Sequence, residues 1–244
     1  MSFETGTDED PRHFHDEMGD HVGSRLNWLR AGVLGANDGI VSTAGVVMGV
    51  AGATDDSAAI LIAGIAALTA GALSMGTGEY VSVSTQRDSE KSLLSLEARE
   101  LQQMPETEER ELAKMYVDKG LTAETAQRVA RELTEHDALR AHADIEFGID
   151  PDNLTNPWHA AWASMIAFIV GALLPLLIVA FVPDGVRILV TVLSVMAALA
   201  LTGFVSATIG YSPRAQAVVR NMAGGLLSMG VTYLIGSFAG IYVG

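Results

Sequence analysis

Apolar and small residues fill five long stretches of this chain, and polar residues crowd between them. The first runs from about Trp28 to Ala53, where Leu29–Ala53 reads LRAGVLGANDGIVSTAGVVMGVAGA, 25 residues with Asp38 as the single charge after Arg30. As a helix it is roughly 37 Å long, enough to cross a hydrocarbon core of about 30 Å. Thr54–Ser57 is a polar turn in which Asp56 or Ser57 can cap the next helix. The second stretch runs from about Ala58 to Val83, rich in Gly and Ala, and carries Met75 and Glu79. The third covers Pro157 to Val182, with Pro175 inside it predicting a kink or a freed carbonyl. Pro183–Gly185 is a turn before the fourth, Val186 to Gly210, and Tyr211–Arg214 is a turn before the fifth, Ala215 to Val243. These patterns predict an all-α membrane protein with five transmembrane helices.

Between the second and third stretches the pattern changes. Residues 87–156 hold 17 Asp/Glu and 9 Lys/Arg and predict a soluble, acidic, three-helix domain. Its first helix continues the second span from Asp88 to about Met104 and stops at Pro105. The second starts at Pro105 or Glu106, with acids in its first turn, and ends near Gly120. The third is capped by Thr122 and runs to about Phe147, with Gly148 as its stop. The expected organisation is a polar tail at 1–24, spans 1 and 2 at 25–86, the acidic domain at 87–156 and spans 3 to 5 at 157–244.

Charge orients this arrangement. An N-terminus inside puts the tail, the acidic domain and the 211–214 turn on the cytoplasmic side. Fourteen of the 15 basic residues then lie inside, with Arg187 alone outside, as the positive-inside rule demands. The C-terminus is expected outside. The first 24 residues lack the pattern of a cleaved signal peptide, so the first span is expected to be retained. The formal net charge of −14 excludes nucleic acid as a natural partner, and the absence of Cys excludes thiolate metal sites and cysteine nucleophiles. The excess of Arg over Lys and the frequent Ala point to a bacterial chain, and so to the plasma membrane. In the tail, His13, His15, Asp16, Glu17 and His21 are either a loose divalent-metal cluster or a solvated surface.

Three groups of residues carry chemistry. Asp38 lies roughly 14 Å into its helix, near the bilayer midplane. A carboxylate there costs about 2.5–3.5 kcal/mol on insertion scales and normally marks an ion or proton path. The alternative is a neutral or hydrogen-bonded Asp joining helices, helped by Asn37. In the second span, Met75 is about 16 Å and Glu79 about 10 Å from the inner edge, one turn apart on one face. Carboxylates with a thioether suit a borderline ion such as Fe²⁺ better than Ca²⁺ or Mg²⁺. Met75 alone would equally serve as packing. In the acidic domain, Glu97 and Glu100 are spaced i, i+3, Glu108 and Glu111 repeat that spacing, and His142 and Glu146 are i, i+4. A bend at Met104–Pro105 would bring the first four together. Carboxylates with one His suit Fe²⁺, Mn²⁺ or Zn²⁺, although spacing alone also fits an ordinary charged surface. The Glu-x-x-His pairs of ferritin-like di-iron bundles are absent. Ser42, Ser74 and His159 show no nucleophile–base spacing, and no enzyme activity or prosthetic group is expected.

The stretches WLRAGVLGANDGIVSTAGVVMGV, GALSMGTGEYVSVSTQRD and NPWHAAWASMIAFIVGALLPLL resemble the vacuolar iron transporter family, which includes yeast and plant vacuolar carriers and many bacterial members. The resemblance covers nearly the whole chain from Arg25 onward. It implies five transmembrane helices in a homodimer, a cytoplasmic three-helix metal-binding domain between helices 2 and 3, and movement of Fe²⁺, often also Mn²⁺, out of the cytosol in exchange for protons. Carried over by motif, Asp38 matches the family's aspartate in the ion path, and Met75 and Glu79 match its second-span motif. Glu97, Glu100, Glu108, Glu111 and Glu146 match the glutamates of the metal-binding domain. Plant members carry a Met-Met pair where this chain has His142-Ala143, which makes His142 a replacement ligand. The competing expectation is a non-transporting membrane metal sensor that uses only the acidic domain.

Overall fold

The computed structural model describes residues 22–243, so the histidine cluster of the tail lies outside the described residues. The described chain is helical from end to end. The helices are α1 (Val22–Ala53), α2 (Ser57–Gln103), α3 (Pro105–Asp118), α4 (Ala123–His142), a π-helical turn (Ala143–Phe147), α5 (Pro157–Phe181), α6 (Asp184–Ile209) and α7 (Arg214–Val243). α1, α2, α5, α6 and α7 are each long and apolar enough to cross a membrane.

The helix ends follow local chemistry. Thr54 and Asp56 form the α1–α2 turn, and Asp56 caps α2 by accepting the Ala58 N–H at 2.9 Å. Pro105 starts α3, where its missing N–H costs nothing. Gly120 ends the turn after α3 at φ +105°, a conformation that suits glycine. Thr122 caps α4 by accepting the Thr125 N–H, and Asn156 caps α5 through the Trp158 N–H at 3.0 Å. α5 runs on through Pro175 without ending, and the Gly171 carbonyl loses its usual donor there.

The described chain divides into two compact units, one formed by residues 22–72 together with 163–243, the other by Leu73–Trp162. In the first unit α1 packs against α6 and α7, and α6 also packs against α7. Ile40, Ala44 and Met48 of α1 meet Val195 and Leu199 of α6 and Met229 of α7 in its core. Glycine permits the closest approaches. A side chain at Gly236 of α7 would overlap the backbone of Gly49 on α1, and one at Gly171 of α5 would overlap the Ala36 carbonyl. Such backbone-to-backbone packing is how helices associate where lipid removes the hydrophobic drive. At one end of this unit Ser57 donates to Asp184 at 2.9 Å, and buried Arg187 donates to Ser57 at 3.0 Å and pairs with Asp184. The buried guanidinium is thereby compensated locally and joins the starts of α2 and α6.

In the second unit α3 packs along α4, and the π-helical turn returns against both. Its buried apolar residues are few: Leu112, Ala126, Ala130, Ala143 and Ala161 among the described residues. At its other end the rings of Tyr80 and Trp158 lie 4.7 Å apart, tilted by 53°.

The structure differs from the sequence expectation at one helix. The third helix of the acidic domain is not continuous from Thr122 to Phe147. It breaks at Asp137, whose backbone is extended (φ −161°, ψ 92°), and it ends in a π-helical turn closed by Gly148 at φ +63°.

Candidate metal centre

The second unit buries three groups that a protein core normally rejects. Glu97 of α2, Glu108 of α3 and His142 of α4 are 2%, 5% and 0% exposed, and one donor atom from each lies within 4.8 Å of the others. Glu97 Oε1 is 2.9 Å from His142 Nδ1. That approach lacks hydrogen-bond geometry, so Glu97 Oε1 and both ring nitrogens of His142 have no hydrogen-bond partner in the structure. An unpartnered buried carboxylate is costly. The cost falls if a cation binds among the donors. A first-row ion with ligand bonds of about 2.1 Å spaces its ligand atoms roughly 3.0–4.2 Å apart, so the trio needs only a small contraction to hold one.

Three more carboxylates surround the trio. Glu100 is half-buried, and Glu111 and Glu146 are exposed. Burial first, then the charges of Glu146, Glu108, Glu100 and Glu111, push the Glu97 carboxyl from 4.5 up to about 7. Glu108 is raised by burial and by Glu111 and Glu100, and Glu146 by burial and by Glu111, Glu108 and Glu100. Burial lowers His142, against the opposing pull of Glu111, so its imidazole is held neutral with a lone pair available. Neutral imidazole with carboxylates is the donor set of Fe²⁺, Mn²⁺ or Zn²⁺ sites, and it lacks the all-oxygen character preferred by Ca²⁺ and Mg²⁺. Burial and the neighbouring carboxylates thus favour the protonated forms of Glu97, Glu108 and Glu146, and a bound cation would oppose that.

Of the sequence-predicted residues, Glu97, Glu108 and His142 thus come together, with Glu100, Glu111 and Glu146 close enough to act on their charge. Sequence spacing did not distinguish the buried members from the exposed ones. Met75 and Glu79 lie half-buried one turn apart on α2 in the same unit. Asp38 lies on α1 in the other unit, half-buried, and its Oδ1 accepts a hydrogen bond from Ser42 Oγ at 2.7 Å. Ser42 is the partner that sequence reading left without a role, although its i+4 spacing from Asp38 was visible. Asn37 beside it keeps a buried carbonyl oxygen without a partner.

Comparison with known proteins places these features in one lineage. Residues 29–237 match the VIT family. The chain is 41% identical over 210 residues to a vacuolar iron transporter of Acanthamoeba castellanii, covering 86% of this chain and 77% of that one. It is 37% identical over 210 residues to VIT-like transporter 1b of Glycine max, covering 86% and 75%. It is 35% identical over 219 residues to vacuolar iron transporter homolog 2 of Arabidopsis thaliana, covering 89% and 87%. A match that spans both apolar ends and the buried carboxylates between them makes the chain a member of the VIT family.

Proposed function

We propose that this protein is a proton-coupled transporter that moves Fe²⁺, and with it Mn²⁺, out of the cytosol. The observation that carries the reading is the buried, unpartnered Glu97–Glu108–His142 trio ringed by Glu100, Glu111 and Glu146. It supports a divalent-cation site, and the curated relatives are named iron transporters. The VIT family is one of transporters rather than enzymes. The exposed carboxylates attract cations and raise their local concentration, and the buried trio holds one long enough to select it. Asp38, Met75 and Glu79 then serve as ligands along the membrane path. A proton and a metal compete for the same carboxylate, so proton entry at Asp38 or Glu79 drives metal release.

In this reading residues 87–156 and the N-terminus face the cytoplasm, as the distribution of basic residues supports. The C-terminus lies outside, and the working unit is a homodimer. The membrane is a bacterial plasma membrane, whereas the named relatives carry vacuolar names. The test is metal flux into proteoliposomes with and without a pH gradient. A non-transporting sensor is the second reading, favoured only in that the most developed donor set sits outside the spans. Wild type together with a deletion of residues 88–150 separates the two: a transporter shows flux that the deletion reduces but does not abolish, while a sensor shows no flux in either form.

A further inference from the structure

α4 is two helical segments, 123–136 and 138–142, joined at Asp137. Asp137 has the extended backbone of an N-cap residue, and its Oδ1 accepts the backbone N–H of Arg140 at 3.0 Å, three residues on. This is how an N-cap satisfies the third donor of the helix it starts. A regular helix through this point would instead send that N–H to the carbonyl of His136. The short segment ends at His142 and passes directly into the π-helical turn that carries Glu146. The Arg140 side chain also reaches Asp152 at 3.2 Å and Asp150 at 3.9 Å, on the loop after the turn. These pairs are exposed and contribute little by themselves. The direction of His142 therefore follows the capped segment, and the axis of 123–136 does not set it.

We propose that Asp137 is a positioning residue for the metal centre: by capping 138–142 it starts the segment that aims the His142 ring at Glu97 and Glu108. The inference rests on the metal-site reading above. Asp137 touches no ion. It acts through His142, much as the outer partners of a metal ligand fix its orientation, an effect on affinity of about 10–100-fold.

The test is Co²⁺ binding to the full-length protein in detergent, read by visible absorption titration. Asp137→Ala should weaken binding about tenfold, the lower end of that range. Asp137→Asn and Asp137→Ser, which keep the cap, should stay within about twofold of wild type. Asp137→Glu keeps the charge and loses the short capping reach, so it should weaken binding as Ala does. In a His142→Gln background, Asp137→Ala should cause no further loss, because the two act through one ring. Binding by Asp137→Ala within twofold of wild type, or losses that add in the double variant, would overturn the proposal. If Asp137→Ala does not fold, the contrast of Glu with Asn decides: equal affinities overturn it. If Glu97→Gln and His142→Gln each leave Co²⁺ binding unchanged, the metal-site reading itself is wrong and the inference falls with it.

Discussion

Glu97 is a carboxylate enclosed by protein, and its proton is held by that enclosure and by four neighbouring glutamates. The folded chain binds this proton more tightly than the unfolded chain does. The stability that Glu97 contributes is therefore complete below its ordinary value of 4.5 and is lost as pH rises toward about 7. His142 acts in the opposite sense, since the fold favours its neutral form, and its contribution is lost as pH falls below 6.5. Replacing Glu97 with Gln isolates the first effect. The metal-free Glu97→Gln protein should melt close to wild type at pH 5 and several degrees higher at pH 8, measured by tryptophan fluorescence in detergent. Mn²⁺ should raise the melting temperature of wild type, and the same variant should lose that rise, a trade of function for stability common at binding sites. Metal affinity should climb as pH rises through about 7, because the ion must displace the Glu97 proton. Titrating Mn²⁺ at pH 6, 7 and 8 measures this, and a flat profile would remove Glu97 from the ligand set.

At the scale of the element, tight glycine contacts hold α1 in the first unit. Gly236→Ala should force α7 away from Gly49 and destabilise the protein by about 1–3 kcal/mol, the usual cost of overpacking. Gly224→Ala, on the same helix with open space around it, should be neutral or slightly stabilising. Melting both variants beside wild type checks this. Most of this architecture was legible in the sequence. The five apolar stretches, the Pro105 start, the Thr122 cap and the Gly148 stop all act through neighbours in the chain, so local reading finds them. The break at Asp137 was not legible. RELTEHDALRAHADIEF carries neither Gly nor Pro, and an Asp inside a charged helix reads as surface. What faces the following segment, Glu97 of α2 beside His142 and α3 beside the π-helical turn, lies far away in the chain. For the same reason the burial of Glu97 and Glu108, against the exposure of Glu111 and Glu146, had no signature in spacing. The left-handed backbone of Tyr211, at φ +49° in the α6–α7 turn, was equally hidden, since Gly210 beside it is the residue expected there.

For the molecule as a whole, the two units differ in chemistry. One concentrates acid and buries a small donor set. The other holds close-packed apolar helices and Asp38, whose carboxylate accepts a hydrogen bond from Ser42. Membership of the VIT family supplies the context in which these parts make sense together. The most direct test of the central claim is Fe²⁺ or Mn²⁺ flux in proteoliposomes with an imposed pH gradient, comparing wild type with Asp38→Ala. Wild type should show metal-dependent proton movement and metal uptake, both accelerated by the gradient, and Asp38→Ala should lose both while keeping Mn²⁺ binding in detergent. Full metal-driven proton flux in Asp38→Ala, or no flux in wild type under any gradient, would contradict it.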